Sequence, residues 1–298
     1  MQNIFLNIAG HWGLLEIPEI VCLYTYLPNF RSFQFNALPV GEELLFRVKC
    51  EKNPNLLIKE IASFTFEQQR RITIHHIVNS LDDFYVTFQF VNQERQYTMW
   101  VRDDWQTFSV DIPVWDEYAY IALNELLMIV FIYSSAKRDT IFIHSSAIKY
   151  GNEAVSFIGH SGVGKSTHSR LWLTYIESSE LLNDDQPALR IHKGKVMIYG
   201  TPWSGKTPCY KNESAVLKAF FFMQQALDNK AIPMEPMQAF QQLLASCSMI
   251  QDERVSFNRI INTLSKVVAL VPSFTLQNRP EEAAALLSFR TSLLTPLK

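Results

Sequence analysis

The stretch Ala154 to Thr167, AVSFIGHSGVGKST, decides how the rest of the chain is read. Ala154 to Ile158 is an apolar run suited to a buried strand, and Gly159 to Ser166 then spells G-x-x-x-x-G-K-[ST], the phosphate-loop pattern. The following THSRLWLTYI carries apolar residues at Leu171, Trp172, Tyr175 and Ile176, the stripe of a core-facing helix. A working phosphate loop needs all three parts. The strand anchors it, the glycines let amides turn inward, and the first turn of the helix offers unpaired N–H groups to an anion. Gly159, His160, Ser161, Gly162, Val163, Gly164, Lys165, Ser166 and Thr167 are therefore the expected nucleotide-binding residues. In this role Lys165 reaches the β and γ phosphates and Ser166 ligates Mg²⁺. The expected ligands are ATP, or another nucleoside triphosphate, and Mg²⁺.

The same pattern recurs in GTPWSGKTP, Gly200 to Pro208. Its surroundings differ. Pro202 removes an inward N–H, and Pro208 followed by CYKNE offers no apolar stripe for a coaxial helix. A second nucleotide loop is not expected here. Gly205 and Lys206 on this proline-braced turn are read either as a substrate or phosphate contact or as a plain solvent-facing turn.

About twenty residues beyond Lys165, LLNDDQP ends an apolar strand with Asn183, Asp184 and Asp185. Adjacent carboxylates at a strand end suit metal-assisted phosphoryl transfer, one holding Mg²⁺ and the other accepting the proton of an attacking hydroxyl. An Asx-type turn that stops the strand before Pro187 is the bland alternative. Beside a convincing phosphate loop the functional reading is preferred, whereas Asp103 and Asp104 in RDDW have no such neighbour and read as a turn. His144 closes the apolar strand TIFIH shortly before the loop, which makes it a candidate neighbour of the phosphates.

The bulk numbers set limits. A formal net charge of -2 leaves no basic excess to attract nucleic acid, so any phosphate binding must be local. Cys22, Cys50, Cys209 and Cys247 form no CxxC pair, which fits reduced thiols and offers no zinc signature. No Lys or Arg precedes the apolar residues of MQNIFLNIAG, so a secretory signal is not expected and a cytoplasmic location is. Asn124 and Glu125 interrupt the apolar run Tyr118 to Ala136, which is read as a buried helix and not as a membrane span.

From about Leu14 to Ile112 the chain is a series of short aromatic and β-branched runs, EIVCLYTY, SFQFNAL, LLFRVKC, SFTFEQ, RITIHHIV, FYVTFQFV, QYTMWV and TFSVDI. Polar breaks separate them at hairpin-like intervals, predicting a mostly antiparallel sheet. After Pro113 a long helix and then alternating strands and helices predict α/β organisation, so the whole reads as α+β. The expected domains are 1–112, β-rich, and 113–298, carrying the phosphate loop.

Together IHSSA, GHSGVGKST, LLNDDQPALR and the YGTPW turn resemble the HPr kinase/phosphorylase family, which shares a nucleotide-binding fold with ATP-dependent phosphoenolpyruvate carboxykinase. The resemblance runs from about Ile141 to the carboxyl terminus. It implies a P-loop kinase domain in which Asp184 is the catalytic base, Asp185 helps hold the metal and His144 is the strand histidine. The family's E-I-R-G strand motif reads MIYG here, with Met197 at the Glu position, and the β-rich first third is unlike the usual first domain of that family. Carboxykinase activity is not expected, because nothing resembles that enzyme's organic-acid lobe.

The function these readings imply is an ATP- and Mg²⁺-dependent kinase acting on a hydroxyl of a small molecule, peptide or protein, with the first domain recognising the acceptor. A nucleotide-binding regulatory or scaffold module without phosphotransfer, and an ATP hydrolase, are the alternatives. The expected partners are a nucleotide and an acceptor, with no nucleic acid and no membrane; self-association into a homo-oligomer is left open.

Overall fold

The computed structural model describes residues 1–52, 60–67, 70–77, 84–91, 93–102, 105–205, 207–249 and 254–294. The chain forms two units, Met1–Ser135 on one side and Ala136–Ile250 with Arg254–Lys298 on the other. Each is built around its own sheet, giving an α+β protein overall.

In the first unit β1 (Gln2–Ile8) and β2 (His11–Ile17) form a hairpin. Its two turn residues, Ala9 and Gly10, both have positive φ, 53° and 71°, the conformation whose twist matches that of the flanking strands. A short helix α1 (Leu23–Tyr26), a 3₁₀ turn (Pro28–Phe33) and β3 (Gln34–Phe35) follow. The sheet continues with β4 (Leu44–Cys50), β5 (Glu60–Glu67), β6 (Arg70–Ile77), β7 (Phe84–Phe90), β8 (Gln96–Arg102) and β9 (Thr107–Asp111). Its strand order is β3-β1-β2-β4-β9-β8-β7-β6-β5, antiparallel except where β4 runs parallel to β2 and β9. The mostly antiparallel sheet expected from the sequence is present, with two corrections. EIVCLYTY, expected as a strand, ends in α1, and SFQFNAL opens on the last two residues of the 3₁₀ turn and keeps only Gln34–Phe35 as strand. Pro28, whose fixed φ suits a first helical turn and whose missing N–H a ladder would need, accounts for the second change.

Helix α2 (Glu117–Ala136) packs its apolar surface within this unit. Phe131 meets the edge of Phe46 on β4 at 4.6 Å, and Tyr133 stacks on Trp105 at 4.3 Å. Gly13 on β2 makes room for Phe46, since a Cβ there would fall 2.0 Å from its ring. The polar interruption at Asn124 is satisfied by the Asn29 side chain at 2.9 Å. α2 is long and apolar enough to cross a membrane, but 78% of its apolar stretch is buried inside the protein, as a core helix requires. The second unit accordingly begins at Ala136 and not at residue 113, because this helix buries its apolar surface in the first unit. Asp103 and Asp104 lie outside the described residues.

The second unit contains β10 (Thr140–Phe142), β11 (Ser145–Tyr150), β12 (Glu153–Ile158), α3 (Lys165–Tyr175), β13 (Ser179–Asn183), β14 (Ala188–His192), β15 (Lys195–Tyr199), β16 (Ser214–Gln225), β17 (Lys230–Pro233), α4 (Pro236–Ser246), α5 (Arg254–Leu270), β18 (Ser273–Asn278) and α6 (Glu282–Leu294). The sheet runs β10-β14-β15-β16-β12-β11-β13. β18 joins the second half of β16 in parallel, and β17 pairs beyond it. β12 and β16 are parallel neighbours and almost continuously buried, the pattern of strands covered on both faces. Val155 and Phe157 of β12 join Trp172 and Ile176 of α3, Phe221 of β16, Leu276 of β18 and Ala285 of α6 in one core. That core fixes where β12 ends and α3 begins. Of the helical stripe, Trp172 and Ile176 are buried, Leu171 is half-buried and Tyr175 is exposed.

Candidate functional site

The loop between β12 and α3 takes its shape from its glycines. Gly162 and Gly164 sit at φ 84° and 110°, and a Cβ at either would meet nothing within 4 Å. Packing does not demand glycine there; the left-handed backbone does. Val163 N donates to His160 O, and His168 N to Gly164 O. By contrast, the amides of Gly162, Gly164, Lys165, Ser166 and Thr167 find no acceptor among the described residues. A row of unpaired N–H groups at the start of a helix favours negative charge.

Lys165 folds back over the loop, its Nζ donating to Gly159 O at 2.7 Å and His160 O at 3.4 Å. Burial lowers its pKa, while Asp185 and Asp184 pull the other way. Ser161, Gly162, Gly164, Lys165, Ser166 and Thr167 share a cleft of about 310 Å³ with His144, Asp184, Asp185 and Gly205. The structure thus brings together the loop, the acid pair, the strand histidine and one residue of the second glycine-lysine turn. Lys206 lies outside the described residues.

The acid pair divides its contacts. Ser166 Oγ lies 3.2 Å from both carboxylate oxygens of Asp184. Asp185 Oδ1 instead meets His144 Nδ1 at 2.8 Å. The expected grouping sets Ser166 with Asp185 at a metal and Asp184 as the base, whereas the direct contacts pair Ser166 with Asp184 and His144 with Asp185. The order of the two residues along the turn cannot reveal this, because adjacent side chains diverge. His144 is fixed by its own backbone, whose N donates to Ser246 O at the end of α4, and Ser145 N donates to Asp185 O.

Asn183 holds this turn in place, and the sequence reading gave it no separate role. Its buried carboxamide oxygen accepts from Asp185 N at 3.0 Å and Gln186 N at 2.9 Å, an Asx-type turn. Its nitrogen donates to Trp203 O at 3.0 Å and to Thr201 Oγ1 at 3.2 Å. The Asx-type turn that the sequence offers is therefore present, and it is the turn that carries the acid pair into the cleft.

Those contacts also explain the second G-x-x-x-x-G-K-T match. Among the described residues no helix follows it. A Cβ on Gly200 would lie 2.1 Å from Lys211 O, and one on Gly205 2.7 Å from Asp184 O. Both glycines are there because backbone passes close by, so the spelling has a packing cause. The turn nevertheless borders the cleft, with Gly205 directly against the acid pair.

Beneath the loop lies a layer of buried hydroxyls. Ser146 on β11 meets Ser169 on α3 at 2.7 Å, and Ser156 on β12 donates to Ser145 at 2.9 Å. His168 on α3 contacts Ser288 Oγ of α6 through Nε2 at 3.0 Å, and burial pushes its pKa down to about 4, keeping the ring neutral. These contacts tie the loop helix to the sheet and to α6.

Among the described residues no three His, Cys, Asp or Glu side chains gather into a ready-made metal cage. The donors next to the loop, Ser166 Oγ and the Asp184 carboxylate, are hard oxygens of the kind Mg²⁺ prefers; that ion ordinarily completes its shell with water and phosphate. No family model matches the chain, and no curated protein matches it significantly.

Proposed function

We propose that the second unit is a P-loop kinase domain of the HPr kinase-like group, transferring the γ-phosphoryl of ATP, with Mg²⁺, to a hydroxyl of a small molecule, peptide or protein. The observation that carries this reading is that the amides of Gly162, Gly164, Lys165, Ser166 and Thr167, unpaired among the described residues, belong to residues lining the cleft that also holds Asp184 and Asp185. Phosphoryl transfer asks mainly for positioning and charge stabilisation, and this arrangement offers both.

Residue roles follow from the contacts. The loop amides and the Lys165 ammonium hold the triphosphate. Ser166 and Asp184 hold Mg²⁺, whose chemistry is to neutralise charge on the phosphates. Asp185, backed by His144, takes the proton of the acceptor hydroxyl as its oxygen bonds to the γ phosphorus and the bond to the β–γ bridging oxygen breaks, releasing ADP. Gly205 borders the acid pair where an acceptor must approach. The four free cysteines support a reducing, cytoplasmic setting.

The test is ³¹P NMR with Mg-ATP and a panel of hydroxyl compounds and cell extracts. Consumption of ATP with a new phosphoester resonance is expected, together with loss of ATP binding in Lys165→Ala. Asp185→Asn should bind Mg-ATP and not turn it over. Unchanged ATP affinity in Lys165→Ala would discard the site. A second reading, a nucleotide-binding regulatory module, is favoured by Met197 at the position of the family's metal-binding Glu. It predicts shifted nucleotide resonances without turnover, while release of inorganic phosphate with no acceptor would mark a hydrolase.

A further inference from the structure

A second cavity, of about 360 Å³, opens on the other flank of the same loop. Gly162, Gly164 and Thr167 line both it and the acid-pair cleft, so one molecule lying across the loop would enter both. The second cavity differs in chemistry: neither Asp184 nor Asp185 borders it, and its walls include the apolar side chains of Val163, Leu171, Ala226 and Pro280. Its volume is in the range of small-ligand sites.

Of its polar lining residues Thr167, His168, Gln225, Asn278 and Arg279, Asn278 is the buried carboxamide. Asn278, the last residue of β18, is only 8% exposed and lines the cavity. Its backbone oxygen accepts from Ala226 N, and its side-chain amide makes no hydrogen bond to the described residues, its atoms being open to the cavity and not sealed in the core. A carboxamide on a cavity wall whose donors and acceptor are left to solvent can bond a ligand that enters. The chain beyond it is braced, with Arg279 N bonded to Asn229 Oδ1 at 3.1 Å and Arg279 Nε to Glu281 at 2.9 Å, so the wall is preformed.

The geometry points to this cavity as the nucleoside subsite, with Asn278 as the side chain that reads the base edge, a role that rests on the triphosphate lying along the Gly162 to Thr167 amides. A carboxamide offers one acceptor beside two donors, matching a nucleobase edge that carries an amino or imino N–H next to an acceptor. Leu171 and Val163 supply the apolar surface on which the planar base lies.

Isothermal titration with Mg-ATP, Mg-GTP and Mg-tripolyphosphate tests this. In the wild type the better nucleotide should bind at least about 10-fold more tightly than tripolyphosphate. Asn278→Leu, which keeps the volume and removes the hydrogen bonds, should weaken that nucleotide about 10-fold and leave tripolyphosphate unchanged; retained tripolyphosphate binding also shows that the variant is folded. Leu171→Trp, filling the cavity, should act in the same direction. A nucleotide advantage that survives both substitutions overturns the subsite, as does equal binding of tripolyphosphate and both nucleotides by the wild type. Tripolyphosphate failing to bind the wild type at all overturns the phosphate-loop reading beneath it.

Discussion

Asn183→Ala is the perturbation whose consequence follows most directly from the contacts. The side chain is fully buried, and truncation strands Asp185 N and Gln186 N, which it bonds at 3.0 and 2.9 Å. Trp203 O loses less, because Thr201 Oγ1 lies 3.1 Å from it. At about 1 kcal/mol for each stranded group the cost is about 2 kcal/mol. For a unit of this size that is roughly 4–8 °C in melting temperature. Calorimetry, read on the transition of the second unit, measures it. Asn183→Asp separates hydrogen bonding from packing. A carboxylate keeps the two accepted N–H bonds but sets its other oxygen against the Trp203 and Thr201 carbonyls with no proton to give. It should cost more than alanine at pH 7 and recover as falling pH protonates it. Because the same carboxamide orients Asp185, both variants should also lose turnover by roughly 100-fold while still binding tripolyphosphate. If Asn183→Ala lies within 1 kcal/mol of wild type, or Asn183→Asp equals wild type at pH 7, the clamp is not what holds the acid pair.

Removing Mg²⁺ with a chelator should lower ATP affinity by at least 10-fold in titration calorimetry, and Asp184→Asn combined with Asp185→Asn should shrink that dependence. His168 should make the second unit acid-sensitive. Its folded pKa of about 4 lies below the ordinary value near 6.5, so stability is complete above pH 6.5 and falls as pH drops toward 4. The loss should be about 2–3 kcal/mol between pH 7 and 4.5 by urea unfolding, and His168→Gln should flatten it. Alkylation at pH 8 followed by peptide mapping should label Cys22 first, since it is exposed and Thr25 lowers its thiol pKa. Cys50 and Cys247, pushed up to about 12, and Cys209, pushed up to about 11, should react only on unfolding.

The parts of this arrangement that were legible in the sequence are the local ones. A strand, glycines at defined offsets and an amphipathic helix are encoded within a few residues, and the loop has the expected φ values. The acid pair was legible as a turn, because Asn183 precedes it by the spacing an Asx turn needs. What the turn packs against was not. Gly200 and Gly205 spell a phosphate loop although they serve close backbone approach, and only coordinates show Lys211 O and Asp184 O standing where their Cβ atoms would go. The boundary between the units was missed for a similar reason. An apolar helix does not declare which sheet it will cover, and α2 packs against Phe46 and Trp105 of the first unit. Asn278 was silent, since one asparagine at the end of a strand is unremarkable until its neighbours are known to leave its amide without a partner.

The charges in the cleft argue for a divalent ion independently of any motif. Asp184 and Asp185 bring two negative charges and Lys165 one positive, so the fixed ionised groups sum to -1 before a ligand arrives. A triphosphate entering alone would set further negative charge beside two carboxylates, at about 4 kcal/mol for each unit pair 4 Å apart at the effective dielectric of a protein surface. One ammonium offsets only part of this, and loop amides contribute partial charges. Lys165 and Ser166 already compensate one another's surroundings without a ligand, the ammonium lying on Gly159 O and the hydroxyl on Asp184. In the proposed function both contacts would be given up to phosphate oxygens and a metal. A cation between Ser166 and Asp184 would turn the nearer carboxylate from a repulsive neighbour into a ligand, and would leave Asp185, held by His144, as the carboxylate to accept a proton.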